Sequence, residues 1–129
     1  MDTGVLEQQM RSDNAQGLKP FMIVGSAGTT DTGAVDPLNV LADIAEKYNA
    51  WFHVDAAYGG FFMLLDEMKD KFRGIERSDS VVLDPHKTLF LAFGSGAVLL
   101  RDRNHLLSSN ASKASYLADT EGVEDINPA

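Results

Sequence analysis

The chain has 129 residues, 44% hydrophobic and 23% charged, the balance of an ordinary globular domain long enough to bury a core. Its net charge of −8 argues against a nucleic-acid or anionic-membrane partner, because both recruit clustered Lys and Arg. With no cysteine it has neither a disulfide framework nor a thiolate metal site.

Met1-Asp2-Thr3-Gly4-Val5 lacks a basic segment followed by an apolar one, so no signal peptide is expected. No apolar run reaches membrane-spanning length, and a cytoplasmic location is the expectation. Val5 to Asn14 predicts a short helix, capped by Asp2 or Thr3 and ended by Gly17. Lys19-Pro20 breaks the chain, and Phe21 to Gly25 reads as a buried strand. A Gly/Thr/Asp loop follows from Ser26 to Ala34. Asp36 as N-cap and Pro37 at the first helical position then start a helix, with Leu38, Leu41, Ala42, Ala45 and Tyr48 on one face. Trp51 to Asp55 reads as the second strand, Phe61 to Phe72 as a helix, Ser80 to Asp84 as the third strand and Gly96 to Arg101 as the fourth. From Ser108 to the end the residues turn small and polar, which predicts a loop or mobile tail. Trp51, Phe52, Phe61, Phe62, Phe90 and Phe93 read as core aromatics.

Strand, helix, strand, helix, strand is the order of an α/β fold with a mostly parallel sheet and helical crossovers. Only Pro85 to Ser95 separates the last two strands, which is short for such a crossover, so the fourth strand is expected to run antiparallel. Open parallel sheets bind ligands at the carboxyl ends of their strands. Three groups fall there: the Gly28-Thr29-Thr30 loop, Asp55 and Lys87.

An amine and a carboxylate on one rim suit pyridoxal phosphate. The amine forms a Schiff base with the aldehyde, and the carboxylate keeps the pyridine nitrogen protonated so that the ring accepts an electron pair. Lys87 ends Asp84-Pro85-His86-Lys87, and Asp55 ends the strand that leads into Ala56-Ala57-Tyr58-Gly59-Gly60. Taken singly, Lys87 also reads as a surface lysine and Asp55 as a carboxylate capping the next turn. His86 reads either as a loop histidine or as a contact to the cofactor phosphate or the substrate carboxylate. Thr29 and Thr30 either bond their own loop or reach the ring oxygen. His53, on the same strand face as Asp55, forms a metal site with His86 only on a weak reading, since no further ligand stands at metal spacing; no metal is expected. His105 reads as a surface residue.

With these motifs in place, the chain resembles the pyridoxal-phosphate-dependent group II amino-acid decarboxylases of fold type I. The matching stretches are Gly28-Thr29-Thr30, Gly33 to Pro37, His53 to Gly60, Gly74 to Arg77 with Asp79-Ser80, and Asp84 to Lys87. The resemblance covers about residues 18 to 120 and implies that the whole chain, 1–129, is part of the large cofactor-binding domain. It implies that Lys87 carries the cofactor, Asp55 pairs with the pyridine nitrogen, and Ala57 lies against a ring face. It further implies that Thr30 approaches the ring oxygen and that His86 sits beside the lysine. Asp84 matches a phosphate-holding position where family members often carry Asn. Tyr116 matches the tyrosine of a mobile loop that protonates the carbanion once carbon dioxide leaves. Thr88 and Ala92-Phe93 depart from residues common in the family, at positions that bear on substrate shape. Family enzymes are several times longer, so a truncated piece is expected, without the main phosphate loop or the histidine stacked on the other ring face. The implied activity is decarboxylation of an L-amino acid in a homodimer. The alternatives are another fold type I enzyme, such as an aminotransferase or aldolase-type lyase, and a silent fragment serving as a folding or dimerisation module.

Overall fold

The structure, a computed structural model, describes residues 1–110. Asp2 accepts the backbone N–H of Val5 at 3.0 Å and so caps helix α1, Thr3–Ala15. Strand β1, Met22–Ser26, leads through the predicted loop into α2, Leu38–Tyr48, and then into β2, Trp51–Asp55. Strand β3, Ser80–Leu83, is followed by a single helical turn, α3, Pro85–Thr88. Strand β4, Ala97–Leu100, and helix α4, Arg103–Asn110, complete the described residues. The sheet order is β1-β2-β3-β4, parallel except for the antiparallel β3–β4 pair, as the short connection requires.

Strand side chains alternate between faces, and among the described residues only one face of this sheet is covered by helices. Ile23, Phe52 and Val54 point to the covered face, where Leu38, Leu41, Ala42 and Ala45 of α2 and Met10 of α1 meet them in one buried cluster. Met22 and Val24 point to the other face and stay 42% and 46% exposed. Glu7 of α1 reaches across to Lys47 of α2 at 2.6 Å and pairs with Arg11 at 2.9 Å.

Several expectations need correction. Asp36 does not cap α2: its carboxylate accepts the Ser26 N–H at 2.8 Å and pairs with the Met1 ammonium, leaving Pro37 in the capping position without a side-chain bond. Phe61 to Phe72 is not one helix. It forms two 3₁₀ turns, Gly60–Leu64 and Lys69–Phe72, separated by an extended Leu65. Its apolar residues run consecutively rather than at helical spacing, so short turns bury Phe72 while Leu64 and Leu65 face out. Phe62, Phe90 and Phe93 are not core residues, at 41%, 91% and 96% exposure. Phe90 has a left-handed backbone, φ +55°, and among the described residues no layer of structure covers that loop. The helix α4 overlaps the start of the expected tail at Ser108; the remainder of that tail, with Tyr116, lies outside the described residues.

Candidate cofactor site

Asp55 is the last residue of β2, where the chain turns at once. The Ala57 N–H donates to Asp55 Oδ1 at 3.1 Å, a local turn that fixes the carboxylate at the strand tip. In register beside it on β1 stands Ser26, and the next amide, Ala27 N–H, donates to the Asp55 carbonyl at 2.8 Å. The loop beyond closes on itself. The Gly28 and Thr29 amides donate to the Ala34 carbonyl at 3.1 and 3.0 Å, and Thr29 Oγ1 accepts the Ala34 N–H at 3.1 Å. Thr29 is therefore spent on the loop, while Thr30 is left exposed at its edge.

The third contributor comes from beyond β3. Pro85 sits in the first turn of α3, where a missing N–H costs nothing, and its fixed φ suits the helix. Thr88 Oγ1 donates to the Tyr58 carbonyl at 3.0 Å, tying this turn to the one after β2. Lys87 Nζ lies 2.8 Å from Asp84 Oδ2, with the lysine side chain 35% exposed and the aspartate 18%.

These pieces enclose a cavity of about 180 Å³. Thr30, Asp55, Ala57 and Lys87 line it together, joined by Gly28, Thr29, Ser26 and Tyr58. Ser26 and Tyr58 had no expected role, although Ser26 was findable as the residue opposite Asp55 on the neighbouring strand. Two expected residues are not on its wall. Asp84 reaches it only through Lys87. His86 turns to Phe93, ring centroids 5.2 Å apart, and its Nδ1–H donates to the Ser95 carbonyl. A carbonyl only accepts, so Nδ1 is the donor of that bond. The Asp84 carboxylate faces the Lys87 ammonium instead.

Larger hollows lie elsewhere. One of about 420 Å³, lined by Arg77, Asp79 and His105, sits at the opposite, N-terminal end of β2 beside Trp51. There Asp79 accepts the Phe52 N–H at 2.7 Å, and Asp43 and Glu46 hold the Arg77 guanidinium, raising its pKa. His105, exposed as expected, stands edge-on to Trp51 at 5.1 Å. His53 is bound by Ser80 Oγ at 2.7 Å. Among the described residues lining that hollow there is no lysine to pair with a carboxylate, and the smaller cavity at the strand tips is the chemical candidate.

The donor set of that cavity fits pyridoxal phosphate at two ends: an amine for its aldehyde and a carboxylate for its ring nitrogen. Ala57, on the wall of the same cavity, is small enough to leave room for a flat ring. Among the described residues lining the cavity, Lys87 is the only cationic side chain, so they hold no second cation for a phosphate.

Comparison with known proteins agrees with this chemistry. The family described as pyridoxal-dependent decarboxylase conserved domain matches residues 1–128. An aromatic-L-amino-acid decarboxylase of Bacillus atrophaeus is 38% identical over 121 residues, and a mouse cysteine sulfinic acid decarboxylase 41% over 122. Each match takes in 94% of this chain and 25% of the relative, so the chain spans about a quarter of the length of these proteins. Among solved structures, mouse CSAD in its apo form superposes with a TM-score of 0.79 at 42% identity, over 83% of this chain and 23% of that one. Catharanthus roseus tryptophan decarboxylase in complex with L-tryptophan gives 0.82 at 34%, over 88% and 24%. The mixed sheet with its one antiparallel pair is thus part of a fold type I architecture. On the profile match across nearly all its residues, the chain belongs to the pyridoxal-dependent decarboxylase family.

Proposed function

We propose that this chain supplies the lysine-and-aspartate part of a pyridoxal phosphate site for decarboxylating an L-amino acid to its amine. The observation that carries the reading is the convergence of Lys87 and Asp55 on one cavity, with Ala57 and Thr30 on its walls. When bound, the cofactor supplies an aldehyde that joins to amines and a ring that takes up the electron pair released as carbon dioxide leaves.

The residues divide the work as follows. Lys87 holds the aldehyde end and yields it to the substrate amine. Asp55, steadied by the Ala57 amide, keeps a proton on the ring nitrogen through a charge-assisted hydrogen bond. In this reading Ala57 lets the ring lie flat against the backbone, and the Thr30 hydroxyl bonds the ring oxygen; both residues line the cavity. His86 holds the following loop through the Ser95 carbonyl. Tyr116, outside the described residues, is the proton donor in this reading. A homodimer belongs to the same reading. Relatives of similar identity are named for aromatic amino acids, cysteine sulfinic acid and aspartate, which supports the class of substrate and not one member of it.

The test is spectroscopic. Cofactor added to the purified chain gives a visible Schiff-base band that borohydride bleaches. A chain that stays colourless supports the other reading, a silent folding or dimerisation module, which the lack of a second cation among the described residues lining the cavity favours.

A further inference from the structure

Asp84 is the feature of this site that its proposed chemistry leaves unexplained. Its backbone is fixed at both ends: the Asp84 N–H donates to the Ala57 carbonyl at 3.2 Å, and the Asp84 carbonyl accepts the Lys87 N–H at 3.0 Å. Its carboxylate is hemmed in as well. A methyl placed on Gly96 would stand 2.9 Å from Asp84 Oδ1, so the head group lies against the bare backbone that opens β4. The other oxygen, Oδ2, meets Lys87 Nζ at 2.8 Å. The carboxylate is mostly covered, and its reach to the lysine is set by one helical turn.

An amine attacks a carbonyl only with a free lone pair. Before that can happen at Lys87, the ammonium must lose a proton to water and leave Asp84. The nitrogen lone pair then forms a bond to the carbonyl carbon, and the carbonyl oxygen departs as water. The 2.8 Å contact opposes the departure from Asp84.

We infer that Asp84 is a positioning residue that parks the Lys87 ammonium at the cavity wall and must release it before the lysine can take up a carbonyl compound. The carboxylate keeps a flexible four-carbon side chain aimed at the cavity, and the cost is a slower resting amine. The purpose assigned to this device rests on the reading of Lys87 as the cofactor lysine; the device itself does not.

The experiment therefore omits the cofactor. The full 129-residue chain is treated with formaldehyde and cyanoborohydride, and methylation at Lys87 is followed by peptide mass spectrometry. The exposed Lys19 and Lys71 serve as references. Asp84→Asn removes the charge and keeps the shape, and Lys87 labelling is expected to rise roughly two- to fivefold, the range open to one partly exposed ion pair. Asp84→Glu, which keeps the charge, is expected to stay near the unmodified rate. Added salt is expected to speed Lys87 in the unmodified chain and to leave it unchanged in Asp84→Asn. The salt series needs no variant to fold. A Lys87 rate that Asp84→Asn leaves unchanged, or slows, and that salt does not move in the unmodified chain, overturns the inference. A colourless chain that nevertheless shows the salt and Asp84→Asn effects would sink the proposed function alone.

Discussion

Gly28 and Gly59 meet backbone to backbone at the edge of the cavity. A methyl built on either would lie 2.5 Å from the Cα of the other, closer than any side-chain carbon tolerates. Gly28 also has φ +91°, a conformation that only glycine adopts without strain. Two turns that begin at the tips of neighbouring strands can therefore close on each other, which brings Thr30 to the same space as Asp55 and Ala57.

Gly59→Ala tests this contact. The methyl forces the two turns apart, at an expected loss of about 1–3 kcal/mol in stability by denaturant unfolding. Cofactor binding should weaken along with it, because Thr30 moves with the loop. An unchanged midpoint would mean that the crossing is looser than its geometry indicates.

The two faces of the sheet should respond differently to truncation. Phe52 is 2% exposed beneath α2, and Phe52→Ala should cost about 3–5 kcal/mol. Val24, one strand over on the open face, is 46% exposed, and Val24→Ala should stay within about 0.5 kcal/mol. Comparable losses at both positions would show that the open face is covered in solution.

Glu7 gives the fold an acid-sensitive link. Hydrogen bonds from Lys47 first and Arg11 second lower its pKa from 4.5 to about 2. The folded chain thus resists protonation there more than the unfolded chain does. The stabilisation is fully present above 4.5 and is lost as pH falls toward about 2. Glu7→Gln should lower the denaturant midpoint at neutral pH, and the gap to the unmodified chain should close across that acid window. Because these pairs lie at the surface, added salt should shrink the gap at neutral pH too. A gap that persists at about pH 2 would assign it to packing instead.

Asp55→Asn keeps the side chain's shape and removes its charge. Cofactor affinity, followed by absorbance titration, should fall by about 1.5–3 kcal/mol, the worth of a hydrogen bond to a charged group. The unfolding midpoint should barely move, because Asp55 is exposed at a strand tip. Equal affinity in the two chains would remove Asp55 from the ring nitrogen.

Much of this was legible in the residues because local rules and the fold agree. The strand from Trp51 to Asp55 matches its predicted bounds, and the short link after β3 forecast the antiparallel β4. The shared rim of Thr30, Asp55 and Lys87 followed from strand order alone. What was not legible depended on distant partners. Asp36 looked like a helix cap until the Ser26 amide and the Met1 ammonium claimed its carboxylate. His86 pointed to the cavity by its neighbour in sequence, but Ser95 turns its ring away. Phe90 and Phe93 read as core because apolar composition carries no information about which layer will cover it.

The most direct measurement concerns where the cofactor attaches. Pyridoxal phosphate is added to the chain and to Asp55→Ala, borohydride is applied, and the pyridoxyl group is located by peptide mapping. Lys87 should carry the label in the unmodified chain at sub-stoichiometric cofactor, ahead of every other lysine, and Asp55→Ala should need markedly more cofactor to reach the same occupancy. Label spread evenly over the exposed lysines, with no dependence on residue 55, would contradict a shared site for Lys87 and Asp55.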